Sequence, residues 1–314
     1  MKIIFMGTPD FAVPTLKALI ASRHEVTAVY TKPDQEAGRG RKIVFSPVKQ
    51  AALEAGIKVL QPEKLGKSAV EEMRGIPADV IVVAAYGKIL RPSVLHMTKF
   101  GCLNVHASLL PKYRGAAPIQ WAVLNGEKES GVTIMQMDEG LDTGDILYQE
   151  KIPLSPDETS GSLFEKLSHL GGPALLHVLD LLEEGKLRPL PQGDCPTEYA
   201  RMLVKEDGVM DFTRSPEENE RFIRGMYPWP SAQAMFRGKT VRLYAASVAE
   251  DHSDALPGTV CSVTKHGFCI RSGSGALNIL SLQPEGKREM TADAFLRGYR
   301  VEEGESFVFP AKES

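Results

Sequence analysis

Lys2-Ile3-Ile4-Phe5-Met6 is the first of several short apolar or β-branched runs that together decide the fold of this 314-residue chain. Through the first 150 residues these runs alternate with stretches of helical periodicity. The predicted strands are Lys2–Met6, Glu25–Tyr30, Lys58–Leu60, Asp79–Ala85, Gly101–Val105 and Gly131–Met137. The predicted helices are Ala12–Ala21, Pro47–Ala55, Ala69–Arg74, Pro118–Leu124 and a long one from Gly161 to Glu184. This alternation predicts an α/β domain with a doubly wound, mostly parallel sheet over residues 1–186.

The pattern changes in the second half of the chain. Residues 187–203 are rich in proline and lack apolar periodicity, which predicts a linker over the surface. Ser215–Arg224 then has a helical pattern, with Ser215 as its N-cap and Pro216 in its first turn. The five strands predicted after it are Ala232–Phe236, Val241–Ser247, Gly258–Val263, Gly267–Arg271 and Ala276–Leu282. Their spacing predicts a small antiparallel β-barrel of the OB type within residues 204–314.

Composition excludes several classes of protein. The chain is 43% hydrophobic and 25% charged with a formal net charge of −3, so it does not coat nucleic acid by bulk charge. Its four cysteines are scattered without Cys-x-x-Cys spacing, which fits free thiols rather than a disulfide framework or a zinc site. No apolar run approaches the length of about 18 residues that spans a membrane. We therefore expect a cytoplasmic protein.

Three polar residues point to chemistry at one edge of the predicted sheet. Asn104 and His106 are two apart at the end of a predicted strand, so their side chains leave the same face. Asp142 follows the next apolar strand in the turn-rich stretch Gly140–Asp145, where Asp145 competes for the same role. An amide, an imidazole and a carboxylate at one point suit attack of an amine on a carbonyl. Taken alone, a histidine at a strand end is more often structural, and an aspartate in such a loop is commonly an ordinary turn residue.

The first strand-to-helix turn argues against a dinucleotide site. A Gly-x-Gly-x-x-Gly fingerprint would begin at Gly7, but Pro9 and Ala12 replace its second and third glycines. Proline also lacks the backbone N–H that would cradle a phosphate. The turn is therefore either a simple connection or part of a site of another kind.

Basic residues concentrate in separated segments of a chain that is acidic overall. Across residues 31–50 five basic residues face two acids, and the segment includes Gly38-Arg39-Gly40-Arg41-Lys42. Further excesses lie within Glu220–Arg242 and at Lys287-Arg288. Such patches on both domains fit an extended polyanion, although a solvated loop explains the first one as well. The aromatic cluster Tyr227–Pro230 fits a packed junction better than a base-stacking platform.

Together these segments resemble the methionyl-tRNA formyltransferases over nearly the whole chain. The resemblance rests on Gly7–Phe11, Ala37–Gly40, Asn104–Pro111, Arg114–Ile119, Gly140–Asp145, Pro228–Pro230 and Leu282–Arg288. It implies a Rossmann-like formyltransferase domain followed by the OB-like domain. It also implies transfer of the formyl group of 10-formyltetrahydrofolate to the α-amine of methionyl initiator tRNA, giving N-formylmethionyl-tRNA for translation initiation.

The resemblance also implies roles for individual residues. Asn104, His106 and Asp142 become the catalytic set, acting without a metal because hydrogen-bond donors replace a Lewis acid. The folate lies against Ser108, Leu109, Leu110 and Pro111, with its pterin near Tyr86, Gly87, Ile89 and Leu90. The loop Thr31–Ser46 wedges into the acceptor end of the tRNA. The expected tRNA contacts are Arg39, Arg41, Lys42, Lys287 and Arg288. Gln35 and Glu36 depart from the family's basic pattern at the front of this loop.

Two other functions stay open at this point. A formyltransferase acting on a small amine would share Asn104, His106 and Asp142 but would have no use for Arg39 or the barrel. A non-catalytic RNA-binding protein on the same scaffold would tolerate loss of Asn104 or His106. We expect a monomer with no membrane partner.

Overall fold

The computed structural model describes residues 1–37 and 42–308, which form two compact units. The first unit contains Met1–Pro118, Lys128–Leu154 and Leu163–Arg201. The second contains Ile119–Glu127, Ser155–Ser162 and the chain from Met202 onward. These units differ from the expected division, because two short segments inside the first 186 residues belong to the second unit, and most of the expected linker belongs to the first.

The first unit is an α/β structure, as the sequence predicts. Its strands are β1 (Lys2–Gly7), β2 (Glu25–Tyr30), β3 (Gln35–Ala37), β4 (Lys42–Val44), β5 (Val59–Leu60), β6 (Val80–Ala84), β7 (Cys102–His106), β8 (Glu129–Gln136) and β9 (Ile146–Pro153). The helices along this stretch are α1 (Ala12–Ile20), α2 (Pro47–Glu54), α3 (Lys67–Arg74), α4 (Pro92–Leu95), α5 (Pro118–Leu124) and α6 (Ser160–Glu183).

Seven of these strands form one sheet in the order β5-β2-β1-β6-β7-β8-β9. The first five in this order pair in parallel, whereas β7, β8 and β9 pair antiparallel. The chain moves outward from β1 in both directions, so the strand order reverses between β1 and β6. In open α/β sheets ligands bind beyond the carboxyl ends of the strands at such a point.

Burial on both faces explains why the central strands were predictable from sequence. Ile3, Ile4, Phe5 and Met6 of β1 are fully buried, and all of β6 is buried as well. Continuous apolar runs of this kind are typical of parallel strands covered by helices on both sides. The predicted doubly wound sheet is confirmed.

Four elements of the first unit are absent from the sequence predictions. Strand β9 is an edge strand whose second half is only partly buried, so it lacks a continuous apolar run. The expected loop Thr31–Ser46 contains an antiparallel pair, β3 with β4, whose strands have three residues each and are too short to show a periodic pattern. The helix α4 has only four residues, which is too short for a periodic pattern.

The second unit contains the predicted barrel. Its elements from residue 205 onward are a 3₁₀ turn (Lys205–Gly208), α7 (Pro216–Met226), β10 (Ala232–Phe236), β11 (Lys239–Ala249), β12 (Val260–Val263), β13 (Phe268–Ser272), β14 (Gly275–Pro284), β15 (Met290–Thr291), α8 (Ala292–Gly298) and β16 (Phe307–Val308). Helix α7 begins as predicted, because Ser215 accepts a hydrogen bond from the Glu218 N–H and Glu218 bonds back to the Ser215 N–H.

The barrel sheet closes on itself. Its strands run in the order β12-β13-β14-β11-β10-β16, and the bridge between Thr259 and Ser306 joins the two ends. The turn between β10 and β11 has positive φ at Arg237 (50°) and Gly238 (74°), the conformation that two-residue hairpins favour. The interior is filled by stacked aromatic rings, with Phe307 lying 4.6 Å from Phe236 and 5.7 Å from Phe268 between centroids. The predicted OB-like architecture is confirmed.

Among residues 1–37 and 42–308, no helix combines the length and apolar character that a membrane span requires.

Candidate active site

Strand β7 brings Asn104 and His106 to the carboxyl edge of the sheet. Asn104 lies between Val83 of β6 and Met135 of β8, and His106 is the last residue of the strand, opposite Thr133. Because side chains alternate along a strand, these two residues leave the same face, as their spacing predicts. His106 is 6% exposed, whereas Asn104 is half-buried.

The His106 ring is oriented by a backbone carbonyl. Its Nε2 lies 3.0 Å from the carbonyl oxygen of Tyr113. A carbonyl oxygen only accepts, so Nε2 must donate and carry a proton. The other nitrogen, Nδ1, lies on the side of Asp142, 3.8 Å from its Oδ2. Nε2 therefore binds the protein backbone, and Nδ1 is directed to the neighbouring carboxylate.

The loop that carries Asp142 is folded by its own side chains. Asp138 accepts hydrogen bonds from the Gly140 N–H (3.0 Å) and the Thr143 hydroxyl (2.8 Å), which closes a tight turn. At Gly144 an added Cβ would lie 1.8 Å from the Gln136 carbonyl oxygen, so only glycine fits there. Asp142 adopts a left-handed backbone with φ of 55°, a conformation that aspartate tolerates better than most residues.

The carboxylate of Asp142 is held by a neighbouring backbone donor. Its Oδ2 accepts a hydrogen bond of 2.9 Å from the Gly115 N–H, and its side chain keeps 22% of its surface exposed. Asp145, the competing candidate, contributes its backbone carbonyl to the Gln136 N–H, and no ion pair joins it to His106. The geometry therefore favours Asp142 over Asp145 as the partner of His106.

Asn104 completes the group with an unused carboxamide. Within the described ranges 1–37 and 42–308, no hydrogen bond of its side chain to the protein is found. A half-buried amide without a protein partner is available to donate to a bound group. A free amide donor, an oriented imidazole and a carboxylate fixed by one backbone N–H can together bind an oxyanion and move a proton. This is the arrangement that acyl transfer requires.

The segment expected to contact folate, Ser108–Pro111, follows β7 directly and is rigidly held. The Thr133 hydroxyl donates to the Ser108 carbonyl (2.6 Å) and accepts from the Leu110 N–H (3.1 Å). The Gln149 amide donates to the Leu110 carbonyl at 2.8 Å. Leu110 is buried, while Leu109 and Pro111 are half-buried. The Ser108 hydroxyl is already bonded to the Lys112 carbonyl.

The second expected folate segment, Tyr86–Leu90, follows β6. Tyr86 and Leu90 pack into the core beside β1, and burial raises the pKa of Tyr86 to about 12. Gly87 and Ile89 are exposed, Ile89 by 79% of its surface. Any ligand at this segment therefore meets Gly87, Ile89 and the backbone rather than the Tyr86 ring.

The expected linker, residues 187–203, is mostly exposed, and hydrogen bonds join it to the loops of the candidate site. Leu190 and Ile146 exchange two backbone hydrogen bonds of 2.8 Å. The Thr197 hydroxyl accepts from the Tyr113 N–H at 2.8 Å, and the Ala200 N–H donates to the Arg114 carbonyl. These contacts join main chain to main chain or to short side chains, so they leave no apolar periodicity in the sequence from which they could be predicted. Most residues between 190 and 200 are exposed, as expected of a surface segment, and these bonds attach the segment to the first unit.

The expected tRNA-contacting residues fall into two groups. Arg39 and Arg41 lie outside the described residues, and Lys42 belongs to β4, where only its backbone is described. Lys287 and Arg288 are exposed in the turn between β14 and β15. Neither side chain forms an ion pair or hydrogen bond within the described part of the chain.

The aromatic cluster has one packed and one exposed member. The Tyr227 ring meets Tyr244 edge-on with centroids 5.5 Å apart, as a junction requires. Trp229 keeps 54% of its surface exposed.

In the described stretches, no three His, Cys, Asp or Glu side chains are grouped as metal ligands.

Comparison with known proteins gives the chain its relatives. The model of the family described as "Formyl transferase" matches residues 1–179, and that described as "Formyl transferase, C-terminal domain" matches residues 202–300. The methionyl-tRNA formyltransferase of Lachnospira eligens is 51% identical over 310 residues, covering 97% of this chain and 98% of the relative. That of Geobacter sulfurreducens is 48% identical over 305 residues, covering 97% and 96%.

Solved structures with low sequence identity share the fold. An N-formyltransferase from Helicobacter canadensis, solved with folinic acid and dTDP-3-aminofucose, has a TM-score of 0.68 at 19% identity and covers 92% of this chain and 100% of its own. HypX from Aquifex aeolicus, solved with tetrahydrofolic acid, has a TM-score of 0.61 at 18% identity and covers 94% of this chain and 47% of its own.

Proposed function

The chain belongs to the methionyl-tRNA formyltransferases, and we propose that it transfers the formyl group of 10-formyltetrahydrofolate to the α-amine of methionine esterified to initiator tRNA. The observation that carries this proposal is the approach of Asp142 to His106, 3.8 Å apart where β7 ends, beside the unpaired carboxamide of Asn104.

The reaction begins when the neutral amine of the methionyl ester attacks the formyl carbon. The new C–N bond converts the formyl oxygen into an oxyanion, and the attacking nitrogen becomes positively charged. Asp142 takes a proton from this nitrogen, directly or through water, because its carboxylate is exposed on one side and held by Gly115 on the other. The oxyanion then reforms the C=O bond, and the bond from the formyl carbon to N10 of the folate breaks. N10 takes up the proton that Asp142 accepted, directly or through water.

Two side chains of β7 stabilise the oxyanion. Asn104 donates through its free amide group. His106 donates through Nδ1, which it can do only as the doubly protonated ring, because Nε2 already donates to Tyr113. The Asp142 carboxylate is the counter-charge for that form. Donors of this kind typically contribute about 3–4 kcal/mol each to transition-state stability.

The folate binds beside this group, against Ser108–Pro111, with its pterin near Tyr86–Leu90. The rigid hydrogen bonding of Ser108–Pro111 supports this placement, since a preformed edge loses little entropy when a ligand binds. Exposed Gly87 and Ile89 offer the pterin a backbone edge and an apolar contact.

The tRNA binds through basic residues on separate elements. Arg39, Arg41 and Lys42 contact the acceptor end, and Lys287 with Arg288 contacts the backbone from the barrel. The absence of described protein partners for Lys287 and Arg288 supports this role, because an unpaired exposed cation gives up no ion pair when it binds a phosphate. We place the protein in the cytoplasm, where charged initiator tRNA is found, and expect it to act as a monomer.

One assay separates this function from the formylation of a small amine. The protein is mixed with 10-formyltetrahydrofolate and offered charged initiator tRNA, free methionine or small amines such as an amino sugar at equal concentration. We expect formylation of the charged tRNA to exceed that of every small amine by at least about a hundredfold in kcat/KM. An amino sugar or free methionine used as well as the tRNA would overturn the proposal.

A further inference from the structure

The side chain of Gln192 joins two loops of the candidate active site. Its Nε2 donates to the carbonyl oxygens of Asp142 (3.0 Å) and Gly144 (2.6 Å). Its Oε1 accepts from Nε (3.1 Å) and Nη2 (2.9 Å) of Arg114. Both amide protons and both lone pairs of the carboxamide are therefore used, which is the full capacity of a glutamine.

These bonds close a ring around the Asp142 carboxylate. Arg114 precedes Gly115, whose N–H donates to Asp142 Oδ2 at 2.9 Å. From the carboxylate the ring runs through Gly115 and Arg114 to Gln192, and from there back to the Asp142 carbonyl. The main chain of Asp142 and the donor to its side chain are thus fixed relative to each other by one carboxamide.

The main chain around Gln192 is itself anchored. On one side Leu190 pairs with Ile146 through two hydrogen bonds of 2.8 Å. On the other side Nη2 of Arg114 donates to the Gly193 carbonyl at 3.0 Å. The backbone on both sides of Gln192 is therefore held in place, so the Gln192 side chain can fix the position of the loop.

The conformation of Asp142 explains why the loop needs holding. Its φ of 55° is a left-handed conformation that persists only when surrounding contacts determine it. The two carbonyls that Gln192 binds lie on either side of Thr143, so the bonds fix the chain immediately before and after the turn. Released from Gln192, Asp142 could relax toward an ordinary backbone and turn its carboxylate away from His106.

We propose that Gln192 is a positioning residue for Asp142, a role that rests on the proposed function of Asp142 as proton acceptor. Glutamine suits this position because it both donates and accepts. Glutamate would keep the acceptor for Arg114 but would face two carbonyls with a carboxylate. Methionine would keep the length of the side chain and lose every hydrogen bond.

The first test compares Gln192→Met and Gln192→Glu with the wild-type protein. We expect each substitution to lower kcat on the order of 10- to 100-fold, the usual cost of misplacing a catalytic group by about 1 Å. KM for charged tRNA should change less than about twofold. Gln233→Met is the matched control, since Gln233 is a buried glutamine of the barrel whose amide donates to the Lys205 carbonyl, and its kcat should stay near wild type. An unchanged kcat in both Gln192 variants, with each folded by circular dichroism, would overturn the proposal.

The second test asks whether Gln192 acts through Asp142. Gln192→Met is combined with Asp142→Asn, and residual formyl transfer is measured in a single turnover with enzyme in excess. If Gln192 positions Asp142, the second substitution should cost less than about threefold in the Asp142→Asn background. Losses that multiply would show that Gln192 acts elsewhere and would overturn this inference alone. Full activity of Asp142→Asn by itself would instead overturn the proposed function of Asp142.

Discussion

The candidate active site and the C-terminal barrel are stabilised in different ways. In the first, Asp142 and Ser108–Pro111 lie in loops and His106 ends a strand, and hydrogen bonds to backbone groups hold all of them in place. In the second, a closed sheet around stacked rings such as Phe236 and Phe307 fixes the structure, and the surface is free to vary. A substitution in a loop of the first region should therefore lower the rate of formyl transfer. A substitution on the barrel surface should change only the affinity for tRNA.

The two regions also differ in the kind of polar group that has no protein partner. Several arginines of the second unit pair with acids, as Arg237 does with Glu305 and Arg271 with Asp251. The cations in the turn after β14 have no such partner in the described chain. In the first unit the Asn104 amide, half-buried at the end of the sheet, also has no partner among the described residues. We propose that this unused capacity serves the reaction at Asn104 and the contact with tRNA at Lys287 and Arg288.

The largest effect should come from the catalytic pair. We expect Asp142→Asn and His106→Ala each to lower kcat by at least about a hundredfold while tRNA affinity changes little, since general acid–base groups contribute about 10²–10⁴ in rate. Rapid-quench kinetics and filter binding measure the two quantities separately. Asp145→Asn is the control. A greater loss in Asp145→Asn than in Asp142→Asn would mean that the wrong carboxylate of the loop has been chosen.

Substitutions on the barrel surface should give the opposite result. Lys287→Ala combined with Arg288→Ala should raise KM for tRNA about tenfold and leave the rate at saturation unchanged. The slope of log affinity against log salt should become shallower by about 1–2, because each lost phosphate contact releases roughly one counterion fewer. Arg297→Ala is the matched control, since that arginine is exposed but paired with Asp293. An unchanged salt slope in the double variant would remove this turn from the interface.

A clean truncation would not serve the same purpose. Arg221 of α7 donates to the Leu124 carbonyl, and the Ser160 hydroxyl donates to the Gly225 carbonyl, all within the second unit. Cutting the chain at residue 204 would strip the segments Ile119–Glu127 and Ser155–Ser162 of these partners. Point substitutions on the barrel surface avoid this damage.

A smaller effect is expected at Arg39. Arg39→Lys keeps the charge but loses the planar guanidinium that binds a phosphate through two hydrogen bonds. We expect kcat/KM for charged tRNA to fall about three- to tenfold and formyl transfer to a small amine to stay unchanged. The same result at Lys42→Arg would argue against a specific contribution of the Arg39 side chain.

The smallest expected effect concerns the reactivity of the cysteine thiols. Partial burial raises the pKa of Cys195, but hydrogen bonds involving Thr197 and Arg114 outweigh it, so the pKa lies below its ordinary value. Burial raises the pKa of Cys261 to about 11 and that of Cys102 to about 12. Because the thiolate is the reactive form, iodoacetamide at pH 8 should label Cys195 first and Cys102 only after unfolding. Mass spectrometry would reveal the order, and earlier labelling of Cys102 or Cys261 would contradict it.

Sequence patterns predicted the parts of the structure that depend on periodicity. The buried runs of β1 and β6, the capped start of α7 and the i, i+2 placement of Asn104 and His106 all follow local rules. Strand β9 was not predictable because it lies at the edge of the sheet and its second half is only partly buried, so it has no continuous apolar run. The role of Gln192 was not predictable because its partners are backbone carbonyls and one arginine that only the fold brings near. The proline-rich sequence around it has no pattern that indicates such contacts.

One measurement tests the central division between chemistry and tRNA binding most directly. Formyl transfer from 10-formyltetrahydrofolate to charged initiator tRNA is followed in a single turnover while the concentration of excess enzyme is raised. The Lys287→Ala, Arg288→Ala double variant should reach the wild-type rate at high enzyme concentration. Asp142→Asn should stay at least about a hundredfold slower at every concentration. Recovery of Asp142→Asn to the wild-type rate at saturation, or a persistent loss in the barrel variant, would contradict the account.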